Sequence, residues 1–228
     1  MAPRLGNGGV SFMEQRLRHA EPGLETAVGE FPAWTPVRQT PRLYVVDSFA
    51  SHAEVDRVLA IARDLDAWRR NGATVKWDAT GASFELPVAA DEVLGALVAR
   101  TYRMLGVENA AAFSVRYRHY HQGESHPLHT DTYEINGAHL VATALLCLTA
   151  PEEGGSTDFP FASPPVRVPY RRGRLVSWLN LLPSGVEDPQ AAHSAAAVTA
   201  GDKVTITNFI YADPQCRLVR EGPACLVQ

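Results

Sequence analysis

Cysteine is scarce in this chain: Cys147, Cys216 and Cys225 are its only three in 228 residues, and none stands in a C-x-x-C pair. Neither a disulfide scaffold nor a thiolate metal knuckle is on offer, and free thiols in a reducing compartment are expected. No apolar run reaches the ~18 residues needed to span a bilayer, and the N-terminus lacks the basic-then-apolar order of a secretion signal. A cytoplasmic protein is expected on that basis. Positive charge is short as well. The formal net charge is −4, without a basic run, which argues against a nucleic-acid partner and against a helix lying on a membrane surface. There is no internal repeat. What is present is a chain of one-domain length with 46% hydrophobic residues, enough for a full core.

Residues 1–40 are rich in Gly, Pro, Arg and Glu without sustained periodicity and read as a tail, with one short helix around residues 12–19. The single domain is expected over 41–228. A strand at Leu43–Val46 leads to Ser51-His52-Ala53-Glu54, a capping box, after which Val55, Val58, Leu59, Ala62 and Leu65 recur at helical spacing. Strand-like segments at 73–77 and 83–88, joined by a polar connection, form a ribbon expected to overhang a pocket. A second amphipathic helix is predicted over 91–105. Beyond Ala111 short strands bounded by Gly and Pro take over, at 113–120, 126–131, 139–149, 166–168, 174–180, 191–198 and 203–212. A helical front half before an all-β back half predicts a mainly β fold, a jelly-roll barrel with helices packed on one face.

Within that β half the sequence His129-Thr130-Asp131 places an imidazole and a carboxylate two residues apart, on one face if the segment is extended. A third candidate ligand, His193, follows about sixty residues later. Two histidines and one carboxylate form the facial triad that holds non-haem Fe(II) and leaves positions open for other ligands. Ten places beyond His193 stands Lys203, a compact cation suited to a carboxylate. That order suits 2-oxoglutarate, a keto acid that chelates iron at one end and needs a cation at the other. If no bulge intervenes, Lys203, Thr205, Thr207, Phe209 and Tyr211 share one strand face, and an inward lysine demands an anion.

From Pro41 to Tyr211 the chain resembles the prolyl 4-hydroxylase-like branch of the Fe(II)- and 2-oxoglutarate-dependent dioxygenases. Besides the ligands, the resemblance is carried by Tyr120-x-x-Gly123 and by the run from Ala142 to Leu148 leading into Glu152-Glu153-Gly154-Gly155-Ser156-Thr157-Asp158-Phe159-Pro160. It implies a double-stranded β-helix core, iron on His129, Asp131 and His193, and 2-oxoglutarate held by Lys203 with hydroxyls from Tyr120 and Thr157. It further implies oxidative decarboxylation to succinate and CO2 with hydroxylation of an unactivated C–H, and ascorbate as an aid in keeping iron reduced. Related halogenases lack the carboxylate ligand, so Asp131 favours hydroxylation.

Three positions depart from the peptide-hydroxylating members. His126 stands in place of a tyrosine, Leu140 of an arginine and Phe209 of a tryptophan. These three are the expected substrate-side residues, and their change favours a small-molecule substrate, a free or carrier-bound amino acid, over peptidyl proline. The ribbon at 73–88 and the loop at 132–138 are then expected to act as a lid. His119, His121 and His139 are expected on the surface or the substrate side. The competing readings are a peptidyl-prolyl hydroxylase of the same family, a cupin-type metal protein that does not use 2-oxoglutarate, and a binding module on a degenerate barrel.

Overall fold

The computed structural model describes residues 36–64, 76–78, 81–107 and 114–223. In chain order the elements are β1 (Pro36–Gln39), β2 (Arg42–Val46), α1 (His52–Arg63), β3 (Lys76–Asp78), β4 (Gly81–Pro87), α2 (Glu92–Leu105), β5 (Ser114–Tyr120), β6 (His126–His129), β7 (Glu134–Ile135) and β8 (Ala138–Thr149). They continue with β9 (Glu153–Gly154), β10 (Thr157–Phe159), β11 (Val166–Val168), β12 (Leu175–Leu179), β13 (His193–Ala195), β14 (Val198–Ala200), β15 (Lys203–Ala212) and α3 (Arg217–Glu221). Among the described residues no helix is long and apolar enough to cross a membrane.

A large antiparallel sheet runs in the order β1-β2-β12-β8-β15-β5-β4-β3, with β7 added on β8, and a small one runs β11-β10-β13-β6. The two sheets form the jelly roll. Alternation along the strands explains why the large sheet has two apolar faces. Leu175 and Leu179 of β12 join Val204, Ile206 and Ile210 of β15 and Val115 and Tyr117 of β5 in the core shared with the helices. Val176 and Trp178 point the other way, with Leu43 and Val45 of β2, into a second core against Phe159, Val166 and Val168 of the small sheet.

The helices brace the outer face. In α1, Ser51 caps the N-terminus with the reciprocal Glu54 contact, and Val55, Val58, Leu59 and Ala62 are buried. Each larger side chain in that set contributes about 1.5–3 kcal/mol of burial. In α2, Asp91 accepts from the Val93 and Leu94 amides, and Gly106, at φ 68°, closes the last turn in the left-handed conformation.

Several expectations shift on contact with this architecture. Strand β1 falls inside the stretch read as tail, and pairs with β2; the helix expected around 12–19 lies outside the described residues, as do 73–75 of the ribbon. The described part of the ribbon continues the large sheet at its edge. β4 pairs along its length with β5, from Ala82 opposite His119 to Pro87 opposite Ser114, and so extends the large sheet. Phe84 and Leu86 are buried beneath the helices, which is why the pairing continues. The segment expected as one strand over 191–198 is two, β13 and β14, separated by an irregular stretch.

Candidate active site

The interior of the roll holds a cavity of about 470 Å³ whose walls come from β5, β6, β8, β10, β12, β13 and β15 and from neighbouring loops. Along β15, Lys203, Thr205, Thr207, Phe209 and Tyr211 all line it. The strand is bulged against β8 between Val204 and Thr205 and between Ile210 and Tyr211, yet the five residues keep their common face. On β5 the inward residues are Arg116, Arg118 and Tyr120, and the register sets them opposite Thr207, Thr205 and Lys203 in turn.

His129, Asp131 and His193 converge at one point of the wall. β13 pairs with β6 so that His193 lies directly across from His129. The separations are 3.5 Å from His129 Nε2 to Asp131 Oδ1 and 3.8 Å from His193 Nε2 to Asp131 Oδ2. All three ligand atoms lie within 4.8 Å of one another. The second ring nitrogens fix the tautomers. His129 Nδ1 bonds the Pro127 carbonyl at 2.8 Å and His193 Nδ1 the Ala191 carbonyl at 3.0 Å, so each Nδ1 carries the proton and each Nε2 offers its lone pair to the centre. Trp178 and Phe159 pack against the His193 ring, with centroids 4.5 and 5.7 Å away. Burial holds the His193 pKa down at about 4, which keeps the ring neutral and able to ligate. Burial works against the Asp131 carboxylate, but the Thr143 hydroxyl and the two flanking imidazoles outweigh it, and its pKa sits below the ordinary value. Thr143 donates to Asp131 Oδ2 at 2.6 Å and itself accepts from Asn180 Nδ2 at 3.2 Å. With Asp131 and His193 buried, His129 partly exposed and the three ligand atoms converging, this set fits a divalent iron ion held on three protein ligands.

One end of the cavity is cationic. Lys203 is 1% exposed, and no carboxylate among the described residues forms an ion pair with it. Its ammonium stands over two phenol rings instead, 4.0 Å from Tyr170 and 4.7 Å from Tyr120. Burial pushes its pKa down to about 7, with Arg118 adding to the fall. The Thr157 and Tyr170 hydroxyls lie 2.7 Å apart beside it. A buried ammonium over two phenol rings, with no ion-pair partner among the described residues, suits an anion, and the distal carboxylate of 2-oxoglutarate fits that deficit. Gly154 and Gly155 make this end possible. A Cβ at Gly154 would lie 2.3 Å from the Ala197 carbonyl oxygen, and both residues have positive φ.

Of the expected substrate-side residues, the structure brings His126 and Phe209 to the cavity and leaves Leu140 out. Leu140 is 1% exposed in β8, does not share the inward face of Thr143 and Leu145, and is core. Its carbonyl accepts from Asn180, so it supports the candidate metal site from behind. His119, on the outer face of β5, and His121, just past its end, stand 3.5 and 3.1 Å from Asp202. Arg116, Arg118, Tyr133, Tyr170 and Tyr211 also line the cavity, and of these only Tyr211 is placed there by the sequence, through its alternation with Lys203. Counting back by twos from Tyr120 reaches both arginines; Tyr170 lies in a loop, where no periodicity points to it.

No family model matches the chain. Among curated proteins it is 25% identical over 225 residues to the probable prolyl 4-hydroxylase 4 of Arabidopsis thaliana, covering 83% of this chain and 74% of that one. It is 24% identical to prolyl 4-hydroxylase 2 of the same plant, over 83% and 73%. Among solved structures, the 2-oxoglutarate complex of a viral collagen prolyl hydroxylase from Paramecium Bursaria Chlorella virus-1 superposes with a TM-score of 0.63 at 20% identity, over 77% of this chain and 98% of that one. A carbocyclase from nogalamycin biosynthesis gives 0.51 at 15%, over 74% and 79%.

Proposed function

We propose that this protein, a prolyl 4-hydroxylase-like member of the Fe(II)- and 2-oxoglutarate-dependent dioxygenases and a 2-oxoglutarate-dependent hydroxylase, acts on an unactivated C–H of a small molecule and not on a proline-rich polypeptide. The fold does not choose between these, since prolyl hydroxylases and a carbocyclase share it. The observation that carries the choice is the cavity itself. Its outer wall is made by His126, Phe209, Arg116, Arg118, Tyr133 and Tyr211, and its volume of about 470 Å³ must take the cosubstrate as well. That suits a compact substrate enclosed on several sides. Phe209 offers no indole donor and less stacking surface than a tryptophan.

Iron with 2-oxoglutarate and O2 supplies the oxidant when bound, the cosubstrate leaving as succinate and CO2 and one oxygen atom entering the substrate as hydroxyl. The chain's own residues bind, orient and exclude. His129, Asp131 and His193 hold the metal, Thr143 and Asn180 keep the Asp131 carboxylate turned toward it, and Lys203, Tyr120 and Thr157 hold the cosubstrate. Trp178 and Phe159, packed against the His193 ring, keep water from it. No side-chain acid or base is required for hydrogen abstraction.

The second reading, peptidyl-prolyl hydroxylation, is favoured by the names of the curated relatives. A cupin without 2-oxoglutarate has no use for a buried Lys203, which weighs against that alternative. Mass spectrometry separates the first two. Free or carrier-bound amino acids gaining one oxygen, with proline-rich peptides unchanged at low micromolar concentration, is the expected outcome; hydroxylated peptides with no small-molecule product reverse it.

A further inference from the structure

We propose that Arg118 anchors the substrate, and that the molecule hydroxylated carries a free carboxylate, bound by this guanidinium one strand step outward from the cosubstrate's cation. The inference rests on the small-molecule reading and adds to it the charge of the substrate.

The ladder between β5 and β15 gives the cavity a vertical order. Lys203 opposite Tyr120 forms its closed end, Thr205 opposite Arg118 the next step, and Thr207 opposite Arg116 the step beyond. Alternate residues on a strand are about 6.6 Å apart, so Arg118 belongs to the level above the cosubstrate's distal carboxylate. From there it reaches toward the candidate metal ligand His129 through His126. Its Nη1 donates to the Tyr120 hydroxyl at 3.1 Å and to His126 Nδ1 at 2.9 Å, and the His126 ring meets His129 with centroids 4.6 Å apart.

Charge accounting singles out this arginine. Both of these partners are neutral, because an imidazole nitrogen that accepts from guanidinium carries no proton. Its Nε is buried with no hydrogen-bond partner among the described residues. No carboxylate among the described residues forms an ion pair with it, whereas its neighbour Arg116 is paired with Glu85. With iron and the dianionic cosubstrate in place, the charges of the metal, Asp131, Lys203 and 2-oxoglutarate cancel. Arg118 is then the cation left over among the described cavity residues. A partly buried guanidinium with unused donors calls for a planar anion of single charge, which a carboxylate is and a phosphate dianion is not.

The test uses the whole protein loaded with Fe(II) and saturating 2-oxoglutarate under anaerobic conditions, so that nothing turns over. Free amino acids and short carboxylic acids are compared with their methyl esters by thermal shift and calorimetry. Acids that bind while their esters bind at least about tenfold more weakly is the expected result. R118Q, first shown by circular dichroism to be folded, is expected to lose that preference while its 2-oxoglutarate affinity stays within about threefold of wild type, and R118K to recover part of it. Esters binding as well as acids overturns the carboxylate and leaves the small-molecule reading intact. Loss of 2-oxoglutarate binding in R118Q as severe as in Lys203→Ala assigns the arginine to the cosubstrate and also overturns it. Binding of proline-rich peptides alone removes both readings together.

Discussion

The chain has only two lysines against nineteen arginines, and Lys203 lines the cavity. The choice makes physical sense, since a buried ammonium changes protonation where a guanidinium does not. Burial holds its pKa at about 7 in the free protein, and a bound carboxylate raises it. Binding therefore takes up a proton above pH 7 and none well below it. The apparent Kd for 2-oxoglutarate should be flat from pH 6 to 7 and then rise by up to about tenfold per unit toward pH 9. Calorimetry in buffers of different ionisation heat measures the proton directly. Lys203→Ala should weaken binding well over tenfold, since removing one partner of a desolvated charge pair costs about 2–5 kcal/mol, and should abolish the pH slope. A wild-type affinity independent of pH across that range would assign the cation role elsewhere.

At the level of elements, the capping box that opens α1 was fully legible in sequence, because its two contacts are local and its residue types have few other uses. The structure adds what sequence could not supply. Glu54 also receives Arg100 of α2 at 2.6 Å, and Arg100 donates to the Phe49 carbonyl at 2.7 Å, so one carboxylate ties both helices to the turn before α1. The Arg100 hydrogen bond, helped by Ser51, holds the Glu54 pKa at about 2 against burial. A depressed carboxylate contributes stability above its unfolded value of about 4.5, and that contribution disappears as pH falls toward 2. Both side chains are partly exposed, so the gain is discounted for screening to about 1–2 kcal/mol. Denaturant melts of Glu54→Gln should show that loss at pH 7 and about a quarter of it at pH 2.5; an equal loss at both would mean that packing, and not charge, is what Glu54 provides. β15 was equally legible, since its span from Lys203 to Ala212 follows directly from alternation. The break between β13 and β14 was not, because the stretch from Ser194 through three alanines to Val198 carries no glycine, proline or asparagine to mark it. Nor was the ribbon's role, because a two-faced strand reads the same whether it overhangs a barrel or extends a sheet.

For the molecule as a whole, the ligand triad and Lys203 could be placed from their order in the chain, while the charge of the outer cavity could not. Arg116 and Arg118 read as polar positions on an alternating strand, and only the closure of the roll turns that face inward. Closure also makes the site a stabilising element. His129 sits on β6, Asp131 just beyond it and His193 on β13, all of the small sheet or its edge, whereas Lys203 and Tyr120 belong to the large one. Ligands spanning these groups bind the folded roll and not the unfolded chain. At a concentration of one hundred times Kd a ligand adds about 2.7 kcal/mol. For a domain of this size that corresponds to a rise in Tm of roughly 5–10 °C. Manganese, which does not turn over, together with 2-oxoglutarate should produce that rise in differential scanning calorimetry, and either alone a smaller one. Asp131→Ala should lose the rise with manganese, keep no more than the small rise given by 2-oxoglutarate alone, and hydroxylate nothing. A full rise in Asp131→Ala would show that the ligands stabilise the fold from somewhere other than this site, and would remove the three-ligand metal centre from the account.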